Sequence, residues 1–501
     1  MKNIFLICSL AIGTFILLGN CKKSDSIGKE PPDVVVKSDS IIYVSTNGSD
    51  SNAGTLAAPF LTLEKARNTM RASASPTKTI YILAGTYKRT ATLQLTTADN
   101  NEIWRYYEPD GVNKAILDGG STAPNTGVDI FTIYGGSNIT INGLTFQNFL
   151  SWGIGIHGGV SDPPGGFPVS TTTAYDNTII NNIIKNGWTT YNAGWSGGGI
   201  WAQGQVINLT IKNNVIQNQY GSGIRLGSNG DGIGPNDAIG GYDIENNVIL
   251  NTNINTGDNG AIYVQDVNFA SADPVGTRRS LIKNNFIRDY QGKNGIGNGA
   301  PENMAIYFDC GASNADVTGN IIAPTANAIT VTSGSQAIWI GGGHNDKVFG
   351  NIIDLGSTAR IMNMSYAYNI GPNQTTITDM SNNFLTGNIY IGNWEGIQRS
   401  GVFGQTNVAF GLGEPIVGIA ARPTVSNNVY YNYGSGTMST SGIFSDASPV
   451  LVDPQISGWT YTIAPGSPVF NPPVNFPAIV GNWGPPGYLI PHTGTQPSCP
   501  H

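Results

Sequence analysis

Lys212-Asn213-Asn214-Val215, Glu245-Asn246-Asn247-Val248 and Lys283-Asn284-Asn285-Phe286 are three copies of one short pattern, and its recurrence decides the fold. Further copies stand at Ile180-Asn181-Asn182-Ile183, Gly319-Asn320-Ile321, Gly350-Asn351-Ile352, Asn382-Asn383-Phe384 and Asn427-Asn428-Val429. The intervals are about 31 to 45 residues, a period that points to a solenoid or a propeller. A propeller needs four strands and a blade signature per repeat, and the chain shows only short apolar alternations. A right-handed parallel β-helix explains more. Its tight turns need residues that tolerate the left-handed backbone region, which Asn and Gly do. Stacked coils would bring the Asn side chains about 4.8 Å apart, close enough for an amide ladder.

Composition agrees. Of 501 residues, 66 are Gly and 54 are Asn, whereas the residues that build helices are scarce. Charged residues make up 11%, against roughly 25% in an ordinary soluble domain. With 40% hydrophobic residues the chain can bury a large core, which excludes global disorder. The net charge of −7 and the lack of a basic face argue against a nucleic-acid partner. A monomer is expected.

The segment Tyr43-Val44-Ser45-Thr46-Asn47-Gly48-Ser49-Asp50-Ser51-Asn52, then Ala58-Pro59-Phe60 and Thr79-Ile80-Tyr81-Ile82-Leu83-Ala84-Gly85-Thr86-Tyr87, resembles the opening of secreted bacterial β-helix proteins. The resemblance is to the pectate-lyase-like superfamily and implies an all-β right-handed parallel β-helix over residues 41–450. It does not imply one chemistry. An N-terminal cap is expected over about 43–90, with a helix at 59–71 turning Leu61, Leu63, Ala66 and Met70 inward to close the solenoid end. Residues 451–501 read as an irregular Pro-rich segment.

A second pattern lies between the Asn turns and aligns on an Ile. Its copies begin at Ile154, Ile200, Ile224, Ile262, Ile306 and Ile338. With period two, these and the residues two further on face the core. Two outward rows result. One is Gly155, Trp201, Arg225, Tyr263, Tyr307 and Trp339. The other is His157, Gln203, Gly227, Gln265, Asp309 and Gly341. Aromatic rings beside polar groups suit a sugar chain, which stacks on flat faces and hydrogen-bonds through its hydroxyls. Trp201, Arg225, Tyr263, Gln265, Tyr307 and Trp339 are therefore candidate substrate contacts on an open face. The alternative is that loops cover the row as ordinary core.

Two carboxylates, Asp266 and Asp309, fall on this face in adjacent coils, and glycoside hydrolysis commonly uses two carboxyl groups. One coil later, Gly341-Gly342-Gly343-His344-Asn345 offers an imidazole to orient or protonate a carboxylate. Acids on consecutive coils followed by a Gly-His turn resemble the layout of polygalacturonase-type glycosidases. The chain lacks their Asp-Asp pair and the basic triplet after the His, so only the layout carries over. The expected catalytic set is Asp309 as leading acid/base, Asp266 as partner and His344 as orienting group, with Glu395 in reserve. A lyase acting on a uronate-containing glycan is the first alternative, with Arg225 the one basic residue on the aligned rows. Arg278-Arg279 is off the aligned rows, and Lys283 precedes an Asn turn. A non-catalytic glycan-binding surface protein is the second alternative. No Walker loop, nucleophile elbow or zinc motif is present. No cofactor is expected. Calcium has one candidate place, Asp231, Asp237 and Asp243 in the Gly-rich insertion 227–243, which reads more simply as a flexible rim.

Residues 1–21 read as a lipoprotein-type signal: Met1-Lys2-Asn3, an apolar run Ile4–Leu18, then Gly19-Asn20-Cys21. Leu18-Gly19-Asn20-Cys21 resembles a lipobox, with Asn20 where Gly, Ala or Ser is usual. Cys21 would carry the lipid, 22–40 would be a polar tether, and the protein would sit on the bacterial outer membrane. That leaves Cys310 and Cys499, too few for a disulfide framework.

Overall fold

The computed structural model describes residues 40–107, 115–124, 126–159, 172–188, 197–227, 239–254, 256, 259–265, 279–290, 303–309, 312–323, 336–341, 343–359, 364–367, 382–393, 410–412, 423–432, 446–458, 460–472, 474–477 and 481–491. Three long sheets of twelve, eleven and ten strands carry the chain, and every pairing within them is parallel. One coil shows the path. Thr178–Ile180 lies in the twelve-stranded sheet, Ile183–Gly187 in the eleven-stranded sheet and Gly198–Gly204 in the ten-stranded sheet. The next coil repeats it with Thr210–Lys212, Val215–Gln219 and Ser222–Leu226. This is the right-handed parallel β-helix expected, and right-handed crossing is the hand that twisted parallel strands favour.

The Asn-Asn pairs form the corner between the twelve- and eleven-stranded sheets. The first residue of each pair turns the chain at positive φ, 59° at Asn181 and 54° at Asn213, and Gly takes the place at Gly319, Gly350 and Gly387. The second residue points inward and builds the ladder. Asn182 donates through Nδ2 to Asn214 Oδ1 at 3.0 Å, and Asn214 does the same to Asn247. The series continues through Asn285, Asn320, Asn351 and Asn388 to Asn428. Every amide is buried, and each Oδ1 also accepts a backbone N–H of the preceding coil, as Asn214 does from Asn182. Corner amides that would be costly to bury unpaired are thus satisfied by one another.

One copy takes a different place from the others. Asn382-Asn383-Phe384 belongs to a different corner, the entry to the twelve-stranded sheet, where Asn383 Oδ1 accepts from Asp346 N at 2.8 Å. The true copy in that coil is Gly387-Asn388-Ile389, hidden because Gly replaces the first Asn.

The N-terminal helix is shorter than expected, Leu63–Arg71, because Thr62 caps it: Thr62 Oγ1 accepts from Lys65 N at 3.1 Å. Leu63, Ala66 and Met70 are buried in the main core, but Leu61 precedes the cap and stays 43% exposed. The C-terminal segment is not merely irregular. It contains a small antiparallel pair, Ile456–Ser457 with Thr462–Ile463, and it runs back along the outside of the eleven-stranded sheet. Tyr461 donates to Asp354 Oδ2 at 2.9 Å, Trp483 packs on Phe286 at 5.4 Å, and Gly484 N donates to Asn246 O at 2.8 Å. The outward apolar residues Val248, Phe286, Ile321 and Ile389 are covered in this way. Each such side chain removed from water contributes about 1.5–3 kcal/mol.

Candidate active site

The ten-stranded sheet holds the first outward row in the register read from the sequence, and two pairs of the second. Trp201 pairs with Arg225, Arg225 with Tyr263, Tyr263 with Tyr307, and Tyr307 with Trp339. His157 pairs with Gln203 and Gln265 with Asp309. The inward partners, from Ile154 to Ile338, lie in the main core, while Tyr263, Met304, Tyr307 and Trp339 form a separate cluster.

The side chains interlock diagonally. Tyr263 Oη donates to Asp309 Oδ2 at 2.7 Å, and Arg225 Nη2 donates to Gln265 Oε1 at 3.3 Å. Tyr263 and Tyr307 stack with ring centroids 4.8 Å apart, and Trp339 meets Tyr307 edge-on at 6.1 Å. The Arg225 guanidinium lies 4.6 Å from the Tyr263 ring centroid and 6.0 Å from that of Trp201, within cation–π range. Asp309, Tyr263, Gln265 and Arg225 therefore act as one connected group.

The open face expected from the sequence is not what the structure contains. Trp201, Arg225, Gln265, Tyr263, Tyr307, Trp339 and Asp309 are all only 2–7% exposed. Period-two alternation separates inward from outward side chains but carries no information on what lies over the outward ones. The row is covered. It still contains unsatisfied polarity, since the Trp201 indole N–H has no partner among the described residues. Buried polar atoms of this kind are uncommon in a plain core.

His344 follows the strand Gln336–Gly341. It sits in the turn between the ten- and twelve-stranded sheets, where its Nδ1 meets the Ser313 hydroxyl at 3.1 Å and its backbone N–H donates to the same oxygen at 3.0 Å. Its turn stacks on that of Ser313-Asn314 one coil before, with Asn345 Nδ2 donating to Asn314 Oδ1 at 3.1 Å. That is the local bonding of a corner. Asp266, Glu395, Arg278, Cys21, Asp231, Asp237, Cys310 and Cys499 lie outside the described residues. Asp243 is not part of a rim: it begins the strand Asp243–Glu245 and pairs with Lys212 at 2.6 Å. Lys283 and Arg279 are both off the site, held by Glu245 and Asp316 in the twelve-stranded sheet.

Two features escaped the sequence reading. The residues before each aligned Ile, namely Gly153, Gly199, Gly223, Ala261, Ala305 and Ala337, have no part in the two-row pattern. A Cβ on Gly199 or Gly223 would come within 2.7 Å of Ile216 or Ile249 Cγ2, so this column packs against the core and accepts only small residues. Ala305 and Ile306 are both core residues, the alternation breaks there, and Met304 turns outward into the aromatic cluster. The run of Gly and Ala at one aligned position was the available signal. The other feature is the end of the row near His157. Tyr134 stacks on its imidazole at 5.4 Å, and Trp152 and Trp201 meet it edge-on. Burial pushes this imidazole down to about 4, against the opposing pull of the Gln203 side chain, so it is neutral at neutral pH.

No helix among the described residues is long and apolar enough to cross a membrane. No group of three or more His, Cys, Asp or Glu that would hold a metal ion occurs among them. No family model matches the chain, and no curated protein matches it in sequence. Solved structures do match in shape. One is the native GH136 lacto-N-biosidase from Eubacterium ramulus, 12% identical, with 82% of this chain and 67% of that chain covered and a TM-score of 0.47. Another, named "Glycoside hydrolase", is 9% identical over 78% of this chain and 96% of that one, at 0.48. The PL6 family alginate lyase AlyGC is 10% identical over 89% of this chain and 56% of that one, at 0.41. Likeness at this level concerns the fold alone.

Proposed function

We propose that this chain degrades a polysaccharide, and that it does so as a glycoside hydrolase with Asp309 as its acid/base carboxylate. The observation that carries the reading is the Tyr263–Asp309 hydrogen bond inside a row of stacked aromatics. A carboxylate held beside a row of rings is what protonation of a glycosidic oxygen requires. Asp266 follows Gln265, which is in register with Asp309, so it remains the proposed second carboxylate. Tyr307, Trp339 and Trp201 would hold sugar rings.

One observation favours a second reading. Arg225 lies over Tyr263 and reaches Gln265, which puts a cation beside the tyrosine–aspartate pair. A lyase acting on a uronate-containing glycan needs a cation to neutralise the sugar carboxylate while a base removes the adjacent proton.

A panel of neutral and uronate-containing polysaccharides, read both for new reducing ends and for ultraviolet absorbance of unsaturated products, tests both readings. Reducing ends without absorbance support the hydrolase. Absorbance overturns it in favour of the lyase. Asp309→Asn should lower turnover by about a hundredfold or more with the fold intact; an undiminished Asp309→Asn protein would remove Asp309 from the mechanism.

We also infer that Cys21 carries a lipid and that the chain is anchored to the bacterial outer membrane. The basic start, the apolar run to Leu18 and the position of the cysteine support this reading.

A further inference from the structure

The N-terminal cap differs from the rest of the chain in charge. Residues 40–90 carry six basic side chains and two acidic ones, a net +4, within a chain of −7, so the remainder carries −11. Both acids are engaged within the cap. Glu64 pairs with Arg89, and the Asp50 carboxylate accepts from the backbone N–H groups of Leu61 and Thr62 at 3.0 and 2.9 Å.

The cap also exposes apolar surface. Among the described residues eight large apolar side chains are exposed, and three of them, Ile41, Leu56 and Leu61, fall within residues 41–61. They share one end of the solenoid. Ser40–Val44 is the first strand of the twelve-stranded sheet, and the segment 54–60 runs along its outer edge. There Tyr43 N donates to Gly54 O at 2.8 Å and Phe60 N donates to Tyr43 O at 2.9 Å. Leu56 stands in the turn closed by Ala58 N donating to Thr55 O at 3.1 Å, and Leu61 follows Phe60. Leu61 lines a cleft of about 260 Å³ together with the exposed Lys88, and Lys65 Nζ lies 5.5 Å from the Phe60 ring centroid. Exposed leucines beside lysines make this end of the fold amphipathic.

We infer that the cap end of the solenoid is a docking surface for a bilayer of anionic phospholipid. Leu56 and Leu61 enter the headgroup layer, and Lys65 and Lys88 lie on phosphate groups. Three observations choose this occupant. Apolar and basic side chains together match a surface that is anionic outside and apolar beneath. The −11 carried by the remainder of the chain is repelled by such a surface, so the contact is end-on. The chain also reaches Ser40 only eighteen residues after Cys21. Residues 22–39 span at most about 65 Å, so a lipid on Cys21 keeps the cap beside the bilayer. This last point rests on the proposed lipidation, whereas the first two do not. Without the lipid the contact is weak and is released by salt, so it orients an anchored chain rather than holding a free one.

Co-sedimentation of the full-length Cys21→Ser protein with vesicles tests the surface in the absence of the lipid. Vesicles of phosphatidylcholine alone are compared with vesicles that also contain phosphatidylglycerol. Binding should be stronger to the anionic vesicles and should fall as salt is raised. Lys65→Gln and Lys88→Gln should each weaken it about fivefold. Leu56→Ser combined with Leu61→Ser should weaken it about tenfold or more. Leu489→Ser, which removes a leucine 84% exposed in the C-terminal segment, should leave it unchanged. The apolar run Ile4–Leu18 is common to every protein compared, so hydrogen exchange supplies a local readout: residues 54–62 should exchange more slowly when anionic vesicles are present. Equal binding to both kinds of vesicle, cap variants that bind as their parent does, or unchanged exchange over 54–62 would each overturn the proposal. Cap variants that lose self-association instead of vesicle binding would assign the surface to a second copy of the chain. Because no arm carries a lipid, failure here is distinguishable from failure of the anchor, which is read by fatty-acid incorporation.

Discussion

Tyr263 donates its hydroxyl to Asp309 across one coil, although the residue in register with Asp309 is Gln265. Arg225 repeats the offset one coil earlier, donating to Gln265 while its guanidinium lies over the ring of its own partner Tyr263. Diagonal neighbours in a sheet are within reach of long side chains. At these two places the first row therefore meets the polar row one coil ahead.

Tyr263→Phe keeps the stack with Tyr307 and removes only the hydrogen bond to Asp309. Losing a bond to a carboxylate costs about 1.5–3 kcal/mol, so turnover should fall by roughly ten- to a hundredfold with little change in melting temperature. Steady-state kinetics on the glycan identified by the panel would check this. An unchanged kcat would mean that the hydroxyl does not serve the carboxylate.

Glu102 is fully buried and donates no charge to the surface. Burial first, and the neighbouring Asp99 second, push its carboxyl up from 4.5 to about 8. The folded chain thus holds this proton more tightly than the unfolded chain. Its contribution to stability is complete below 4.5 and is lost as pH rises through about 8. Glu102→Gln preserves an acceptor for the Trp104 indole, which donates to Glu102 Oε2 at 2.9 Å. Thermal unfolding across this range should show wild type losing ground to Glu102→Gln as pH rises. A gap that stays constant would show that Glu102 is already ionised in the fold.

The Asn ladder ends on Asp446, whose Oδ2 accepts from Asn428 Nδ2 at 2.8 Å, from Asn428 N at 3.1 Å and from Tyr430 Oη at 2.9 Å. Asp446→Ala would leave these buried donors unpaired and should cost about 3 kcal/mol or more, whereas Asp446→Asn keeps an acceptor and should cost less. Denaturant unfolding of the two variants measures the difference. Equal losses would mean that the last rung relaxes to other acceptors.

Deleting residues 451–501 uncovers Val248, Phe286, Ile321, Ile389 and their neighbours. The expected result is a lower melting temperature and binding of a hydrophobic dye, with far-ultraviolet β-signal retained because the three sheets do not depend on this segment for their pairing. A truncated protein as stable as the full chain would mean that the packing seen here contributes nothing.

Cys21→Ser should release the protein from the membrane fraction of the cells that make it, and labelled fatty acid should no longer be incorporated. Continued acylation of the Ser variant would refute the anchor.

The coil repeat, the corner amides, the inward isoleucines and the order of both outward rows were all determined by the sequence itself. Each depends on a local rule: a two-residue side-chain period in strands, and a left-handed backbone position that Asn or Gly must fill. Those rules act within a few residues, so they are written in the chain. Tertiary structure decided what depends on segments far apart. It covered the row that alternation turned outward and tied Tyr263 to Asp309 over a separation of 46 residues. It put His344 beside Ser313, because the neighbour of a corner residue is the same corner one coil away. It brought Trp483 onto Phe286, a contact no periodicity encodes. A strand's period says which way a side chain points; only the stacked coils and the returning C-terminal chain say what it meets there.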